Sequence, residues 1–221
     1  EILLNYFDDL AEKDLASRYH LRKADKIKEL ARFYLSNTAR PTTFSSVGKF
    51  LDITAATAER FSHYLENAFL CFFLRRFSFT VKEQTKSPRK VYSVDTGLSR
   101  AVGFESSPNI GWHAENAVFL ELLRRQADNL DLELFYWKDV QHHEVDFVLK
   151  EKERVIQLIQ VVWDMSNPKV REREKKNLLK AMAELKCQNG LVLTLDFVGE
   201  EDVDGVKVVY RTIVDWLLFG E

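Results

Sequence analysis

The sequence has little cysteine, and it contains no long apolar run. Its 221 residues include two cysteines, Cys71 and Cys187, which lie far apart in apolar surroundings. This usage favours reduced thiols over a disulfide framework, and no Cys/His cluster has the spacing of a zinc site. No apolar stretch approaches the length needed to span a bilayer. We therefore expect a cytoplasmic protein with no membrane partner.

The net charge is also small. The chain has 32 Lys and Arg residues and 34 Asp and Glu residues, for a formal charge of −2. Because so small a net charge predicts no charged partner, any affinity for nucleic acid has to come from a local basic patch. A Gly-rich phosphate-binding loop is missing, so we expect no nucleotide cofactor in this part of the protein. The chain opens at Glu1 with neither Met nor a signal-like segment, and we expect it to belong to a longer polypeptide.

The first half of the sequence has the pattern of a winged helix-turn-helix. Apolar periodicity predicts helices over residues 1–15, 24–35, 45–51 and 55–66, with Thr54 as the N-cap of the last. Residues 69–74 and 91–94 are predicted strands, and the polar residues 82–90 between them are the predicted tip of a hairpin. Short helix, turn, helix and hairpin is the order of a winged helix.

Basic side chains on this module indicate contact with double-stranded DNA. In a winged helix the second helix of the turn enters the major groove, and the hairpin meets the phosphate backbone. The helix offers Arg60 and His63, with Glu59 opposing them. The hairpin carries Arg75, Arg76, Lys82, Lys86, Arg89 and Lys90. The alternative is a module that contacts proteins or oligomerises, because a basic hairpin is often only a solvated edge.

The second half alternates helices with strands, which predicts an α/β domain with a central mixed sheet. Predicted helices cover residues 112–127, 169–186 and 212–219, and predicted strands cover 132–137, 144–149, 155–162, 190–195 and 206–210. The charged run 169–176 is most simply a solvated helix face, or it supports DNA beside the sheet. Residues 95–111 are loop-rich and form the natural boundary. We thus predict a connector over 1–22, a winged-helix domain over 23–98 and an α/β domain over 110–221.

Three polar residues of the second half fit a catalytic pattern. Glu115 lies on the first helix, Asp146 on one strand and Gln160 on the next. If the two strands are neighbours, Asp146 and Gln160 converge near one point and the helix brings in Glu115. This arrangement resembles the restriction-endonuclease-like, PD-(D/E)XK superfamily. The resemblance implies that carboxylates at Glu115 and Asp146 hold Mg²⁺, which activates water for phosphodiester hydrolysis.

The third part of that signature is incomplete. Gln160 stands where the superfamily has an acid, and Val162 stands where it has a lysine. An amide adds no charge, and a valine neither donates a hydrogen bond nor carries charge. We therefore expect weak or no nuclease activity. The alternative is a Mg²⁺-dependent nuclease whose lysine has moved to another element, with Lys138 and Lys150 as the nearest candidates.

Motifs along nearly the whole chain resemble one family, the bacterial and archaeal AAA+-superfamily ATPases with a C-terminal domain of unknown function. They are Asn5-Tyr6-Phe7, Glu12-Lys13-Asp14, Ser17-Arg18-Tyr19, residues 90–98 (KVYSVDTGL), Glu115-Asn116-Ala117-Val118, Phe135-Tyr136-Trp137, residues 144–148 (EVDFV) and Gln160-Val161. The resemblance implies a preceding ATPase domain in the same chain, which binds ATP and Mg²⁺. This part is then a non-catalytic accessory region that associates with DNA, and an oligomer is compatible with it.

Overall fold

A computed structural model describes residues 1–21, 24–104, 110–203 and 205–220. The chain divides into two compact units. Unit 1 consists of residues 1–74 and 87–109, and unit 2 consists of residues 75–86 and 110–221. Helices and strands occur in both units, so the predicted mixed α/β class is confirmed.

The elements follow one another with short connections. Up to residue 104 they are α1 (Ile2–Asp9), a π-helical segment (Leu10–Leu15), α2 (Ala16–Arg18), α3 (Ala24–Ser36), β1 (Pro41–Thr42), α4 (Phe44–Leu51), α5 (Ala55–Asn67), β2 (Cys71–Arg76), α6 (Val81–Lys86), β3 (Arg89–Ser93) and α7 (Thr96–Val102). From residue 110 they are α8 (Ile110–Asp128), β4 (Leu132–Lys138), β5 (Glu144–Glu151), β6 (Arg154–Val162), α9 (Pro168–Leu185), β7 (Asn189–Thr194), β8 (Gly199–Val203), β9 (Val206–Thr212) and α10 (Ile213–Phe219).

Unit 1 packs helices against a small antiparallel sheet. Strand β3 lies between β1 and β2 and is antiparallel to both. The helices bury apolar side chains in one core, which includes Leu30, Tyr34 and Leu65. Phe7 and Leu15 are fully buried in the same core. The connector predicted over 1–22 therefore contributes to the packing of this unit through its described residues, 1–21.

The turn between α4 and α5 is tight and specified by local chemistry. Asp52 ends α4 in the left-handed region, at φ 53°. A Cβ at Gly48 would lie 2.8 Å from the carbonyl oxygen of Ile53, so only glycine fits there without a shift. Thr54 then caps α5, because its side-chain oxygen accepts from the backbone N–H of Thr57 at 3.1 Å.

The sheet of unit 2 is mixed. Its strand order is β4-β5-β6-β7-β9-β8, in which β6, β7 and β9 are parallel and the other pairs are antiparallel. Arg75 and Arg76, the last residues of β2, pair in parallel with Phe135 and Tyr136 of β4. Next to them, Phe77 packs its ring against Phe135 in the core of this unit.

Helices α8 and α9 cover opposite faces of this sheet. The ring of Phe119 on α8 lies 6.4 Å from that of Phe147 on β5. The next residue of the strand, Val148, belongs instead to the core that contains Leu178 and Met182 of α9. Because successive strand side chains point to opposite faces, the two helices lie on different sides. Asp146, near the start of β5, thus lies in a strand that has a helix on each face.

The predicted hairpin tip over 82–90 is wrong in its local structure. The chain forms α6 there, and β3 begins at Arg89. Ser78 donates to a carboxylate oxygen of Glu83 at 2.6 Å, and Thr80 accepts weakly from the Glu83 backbone N–H at 3.4 Å. These contacts satisfy polar groups at the helix start, which favours a helical turn over an extended tip.

Within the loop-rich boundary predicted over 95–111, of which residues 105–109 lie outside the described ranges, the structure has a helix, α7. The Asp95 side chain caps it by accepting from the backbone N–H of Leu98 at 2.6 Å. Strand β8, which the sequence analysis did not predict, has the weakly alternating pattern of an exposed edge. Across the described ranges, no helix is long and apolar enough to cross a membrane.

Candidate functional site

Asp146 and Gln160 meet where the backbone ladder between β5 and β6 ends. The ladder runs from Glu151↔Arg154 to Phe147↔Ile159. Beyond it, the side-chain oxygen of Gln160 accepts from the Asp146 backbone N–H at 3.2 Å, and a carboxylate oxygen of Asp146 accepts from the Val161 N–H at 3.0 Å. Both side chains are about 6% exposed. The predicted convergence of these two residues is present, and side-chain hydrogen bonds replace the ladder there.

A third polar residue, Glu174 of α9, completes this cluster. The amide nitrogen of Gln160 donates to one carboxylate oxygen of Glu174 at 3.0 Å, and the Nε of Arg173 donates to the other at 2.9 Å. Glu174 is 9% exposed, although it lies within the run predicted as a solvated face. It stands four residues before the buried Leu178, so helical periodicity is the signal that could have identified it.

The environment of Glu174 disfavours its charge. Burial raises the pKa of Glu174, and the nearby charges of Asp146 and Glu144 raise it further. The hydrogen bond and charge of Arg173 act in the opposite direction. The pKa is raised on balance, so the carboxyl holds its proton to a higher pH than an exposed glutamate does.

Glu115 is also buried, and it lies in the second turn of α8 rather than at the start of the helix. Helix α8 packs against β4 and β6. On β6, Gln160 points to the face covered by α9, where it bonds to Glu174. Glu115 and Gln160 therefore approach the sheet from opposite faces, and Asp146 lies at the end of the β5–β6 ladder.

Two lysines, Lys138 and Lys150, were the candidates to replace the one that Val162 lacks. Val162 is buried in the core beneath α9. Lys138 forms an ion pair with Glu144 at 2.7 Å, and Lys150 forms one with Glu133. Lys150 lies four residues from Asp146 along β5, a distance of about 13 Å. Both candidate lysines thus have carboxylate partners of their own.

The cluster does not offer a ready cation site. Mg²⁺ takes oxygen ligands in octahedral geometry. The oxygen of Gln160 accepts from the Asp146 N–H, and its NH₂ group donates to Glu174. Among the residues that the structure describes, no group of three or more His, Cys, Asp or Glu side chains is arranged to hold a metal ion. The arrangement can hold a proton at Glu174, and we derive no metal step through it.

Half of the predicted DNA contacts lie in unit 1. Arg60 and His63 are exposed on α5, and His63 lies 3.6 Å from Glu66. Arg89 is half-buried, with its guanidinium 4.9 Å from the ring centre of Phe44. Lys90 is 1% exposed. A buried ammonium cannot meet a phosphate backbone, so we exclude Lys90 from the DNA-contact set.

The other predicted contacts lie in unit 2. Arg75 and Arg76 extend a strand of its sheet, and Lys82 and Lys86 are exposed on α6. These four residues come after Leu74 and belong to unit 2, whereas Arg89 and Lys90 of the predicted hairpin belong to unit 1. The predicted wing is thus not a single basic surface of unit 1.

One side of α5 is covered by the chain that precedes α3. The ring of Tyr19 stacks on that of Tyr64, with centres 3.6 Å apart and planes 9° from parallel. A groove of about 750 Å³ lies beside this stack, and Thr57 and Arg60 contribute to its wall. Arg60 and His63, together with Ala56, remain on the uncovered face of the helix.

Two curated relatives were found for the chain. An uncharacterized protein of Haemophilus influenzae is 27% identical over 222 residues, which cover 98% of the chain and 52% of that protein. An uncharacterized protein of Methanocaldococcus jannaschii is 32% identical over 195 residues, which cover 86% of the chain and 42% of that protein. The chain thus spans about half the length of the curated relatives it matches. No solved structure matches it.

Two protein families match consecutive parts of the chain. Residues 1–109 match the family described as "Domain of unknown function (DUF8612)". Residues 110–210 match the family described as "Domain of unknown function (DUF4143)". The border between the two matches coincides with the start of α8. The chain therefore carries two domains of unknown function, one after the other.

Proposed function

We propose that this chain is an accessory region of a longer ATPase, that it associates with double-stranded DNA through unit 1, and that unit 2 is a nuclease-like domain without catalytic activity. The length of the curated relatives leaves room for a further domain. An ATPase domain there, with its ATP and Mg²⁺, follows from the family resemblance of the sequence motifs. The chain itself has no Walker-type loop.

The observation that carries the DNA proposal is the topology of unit 1. Its elements follow the order α3, β1, α4, α5, β2 and β3, and β3 pairs with both β1 and β2. This order fits a winged helix, in which α5 is the helix that enters the major groove. Arg60 and His63 lie exposed on α5. A cation there can contact a phosphate or a base edge.

The topology of unit 2 fits a nuclease-like fold, and hydrogen bonds between its own side chains occupy the polar cluster. The order α8-β4-β5-β6-α9-β7 on a mixed sheet fits the restriction-endonuclease-like superfamily that the sequence resembles. Gln160 bonds to both Asp146 and Glu174, so its neutral amide occupies the position between the two acids. Val162 adds no charge. These contacts favour a structural role for the cluster.

The DNA proposal is tested by fluorescence anisotropy with a short duplex at graded salt. Each phosphate contact contributes about 0.9 to the slope of log Kobs against log salt concentration. We expect Arg60→Gln to weaken binding and reduce that slope by about 0.9. The matched control is Arg100→Gln, which removes an exposed arginine from α7 of the same unit. No binding by the unaltered chain at low salt would refute the proposal and favour a protein-interaction or oligomerisation module.

A metal-dependent nuclease is the second candidate, because Asp146 and Glu174 bring two buried acids into one cluster. Plasmid nicking with Mg²⁺ or Mn²⁺ tests it. Activity that Glu115→Ala and Asp146→Ala both abolish would establish the nuclease and overturn the non-catalytic assignment. Activity that neither substitution alters would come from a contaminant. We expect no nicking by the chain.

A further inference from the structure

Unit 2 has a basic groove that the proposed function does not use. The groove has a volume of about 520 Å³ and follows the first half of α9. Lys169, Arg173 and Lys176 line it from the helix, and His143 lines it from the turn between β4 and β5. Glu172 is the one carboxylate in this lining. The groove is therefore a local patch of positive charge on a chain with little net charge.

The cations of the groove are available to a ligand. Lys169, Arg173 and Lys176 are all exposed. The guanidinium of Arg173 also donates a hydrogen bond to Glu174, so part of its donor capacity is already used. Lys169 and Lys176 take part in no ion pair within the described ranges, whereas the neighbouring Lys175 pairs with Glu201. These two lysines of α9 therefore face the groove without a salt bridge, and Glu172 is the carboxylate nearest to them in the lining.

The far wall of the groove is held in place by its own contacts. Asp139 accepts from the Nδ1 of His143 at 2.7 Å and from the ammonium of Lys180 at 2.5 Å. Burial alone would raise the pKa of Asp139, but these hydrogen bonds, with those from the backbone N–H groups of His143 and Gln141, lower it below its ordinary value. The carboxylate therefore stays ionised and ties the β4–β5 turn to α9.

The spacing of the three cations suits a row of phosphates. Residues 169, 173 and 176 lie on one helix face and span about 10.5 Å along the axis. A DNA strand carries one phosphate per nucleotide, so cations repeated along one helix face can contact successive phosphates of a strand. Lysine is a point-charge partner for phosphate. An acidic helix can present carboxylates at a similar spacing, so the competition experiment below separates that ligand from nucleic acid.

We propose that this groove binds the phosphate backbone of double-stranded DNA, as a second contact independent of α5. The contact carries no sequence information, because the groove presents cations for phosphates and no element that enters a DNA groove. It would place the duplex along α9, beside Arg173. This inference concerns unit 2 alone and does not rest on the function proposed for unit 1.

The test is the salt dependence of duplex binding in a double variant of the chain, Lys169→Gln with Lys176→Gln. We expect the slope of log Kobs against log salt concentration to fall by about 1.8, because two phosphate contacts are lost. The matched control is Lys152→Gln with Lys207→Gln, which removes two exposed lysines of unit 2 outside the groove and should leave the slope unchanged. Lys169→Arg with Lys176→Arg should retain the wild-type slope.

Three results would overturn the inference. The first is an unchanged slope in the Lys169→Gln, Lys176→Gln variant. The second is loss of all salt dependence in Arg60→Gln, which would assign binding to α5 alone and leave the function proposed for unit 1 intact. The third is competition by polyglutamate that equals competition by duplex at matched charge, which would indicate an acidic protein as the ligand. A reduced slope in the groove variant with no effect of Arg60→Gln would support the groove and remove α5.

Discussion

The carboxyl group of Glu174 is surrounded by groups that shift its pKa in opposite directions. Gln160 and Arg173 donate to its two oxygens, while Asp146 lies close enough to raise its pKa. The sequence identifies Asp146 and Gln160, because strand alternation places them near one another. It does not identify Glu174, because the charged run around it conceals one buried position. Its helical spacing from the buried Leu178 is the one local signal of this inward position, and the packing of α9 on the sheet shows its partners.

Replacing Glu174 with glutamine should change how stability depends on pH. Since the pKa of Glu174 is raised in the folded chain, the unfolded chain loses this proton first as pH rises above about 4.3. The folded state then holds more protons, so wild-type stability falls with pH in that window. In Glu174→Gln this contribution is absent. We expect the free energy of unfolding of wild type, minus that of the variant, to decrease from pH 4.5 upward.

Urea unfolding at several pH values measures this difference. The control is Glu172→Gln, which changes an exposed glutamate on the same helix and should show no such trend. A wild-type-minus-variant difference that stays constant with pH would mean that Glu174 ionises at its ordinary pKa.

At the scale of elements, α5 is a case in which local chemistry determines the structure. The sequence predicts a helix over 55–66 with Thr54 as its N-cap, and the structure confirms the cap and gives Ala55–Asn67. Contrast α6, where the sequence predicts an extended tip. Its capping contacts come from Ser78 and Thr80, which precede a short polar segment with no apolar periodicity. A short helix of that kind leaves little signal in hydrophobic spacing.

Removal of the α5 cap should destabilise unit 1. Thr54→Ala leaves the backbone N–H of Thr57 without its acceptor, and we expect a loss of about 1 kcal/mol. The control is Thr57→Ala, which removes only a hydroxyl bonded to the Thr54 hydroxyl and should cost less. Urea denaturation followed by far-UV circular dichroism measures both. Equal effects of the two substitutions would contradict a capping role.

At the scale of the whole molecule, unit 1 is discontinuous in sequence, because a segment of unit 2 lies between its two parts. This segment consists of residues 75–86. Two of its residues pair with β4 in the sheet of unit 2, and Phe77 is buried in the core of that unit. The sequence predicts these residues as part of a wing, because two strands flank a polar segment. That pattern is the same whether the tip is free in solvent or packed on another sheet. The contact of Phe77 with Phe135 shows that the segment packs on the sheet of unit 2.

Phe77→Ala should therefore destabilise unit 2, even though it lies between two strands of unit 1. All four tryptophans of the chain, Trp112, Trp137, Trp163 and Trp216, lie in unit 2, so their fluorescence follows the unfolding of that unit. Phe77 is 8% exposed, and we expect a loss of about 3–5 kcal/mol.

The matched control for this prediction is Phe79→Ala, because Phe79 is 76% exposed in the same segment. Its substitution should shift the tryptophan-monitored midpoint far less. If the midpoint stays unchanged in Phe77→Ala, the segment does not belong to unit 2.

The sequence by itself determined the mixed α/β class, the cap of α5 and the pairing of Asp146 with Gln160, because each depends on periodicity or on neighbouring elements. The tertiary structure alone decided three other features. These are the position of Glu174 in the cluster, the burial of Lys90 and the assignment of residues 75–86 to unit 2. Each depends on which surface a segment packs against. That choice is made by apolar contacts between residues distant in sequence, and local patterns do not encode it.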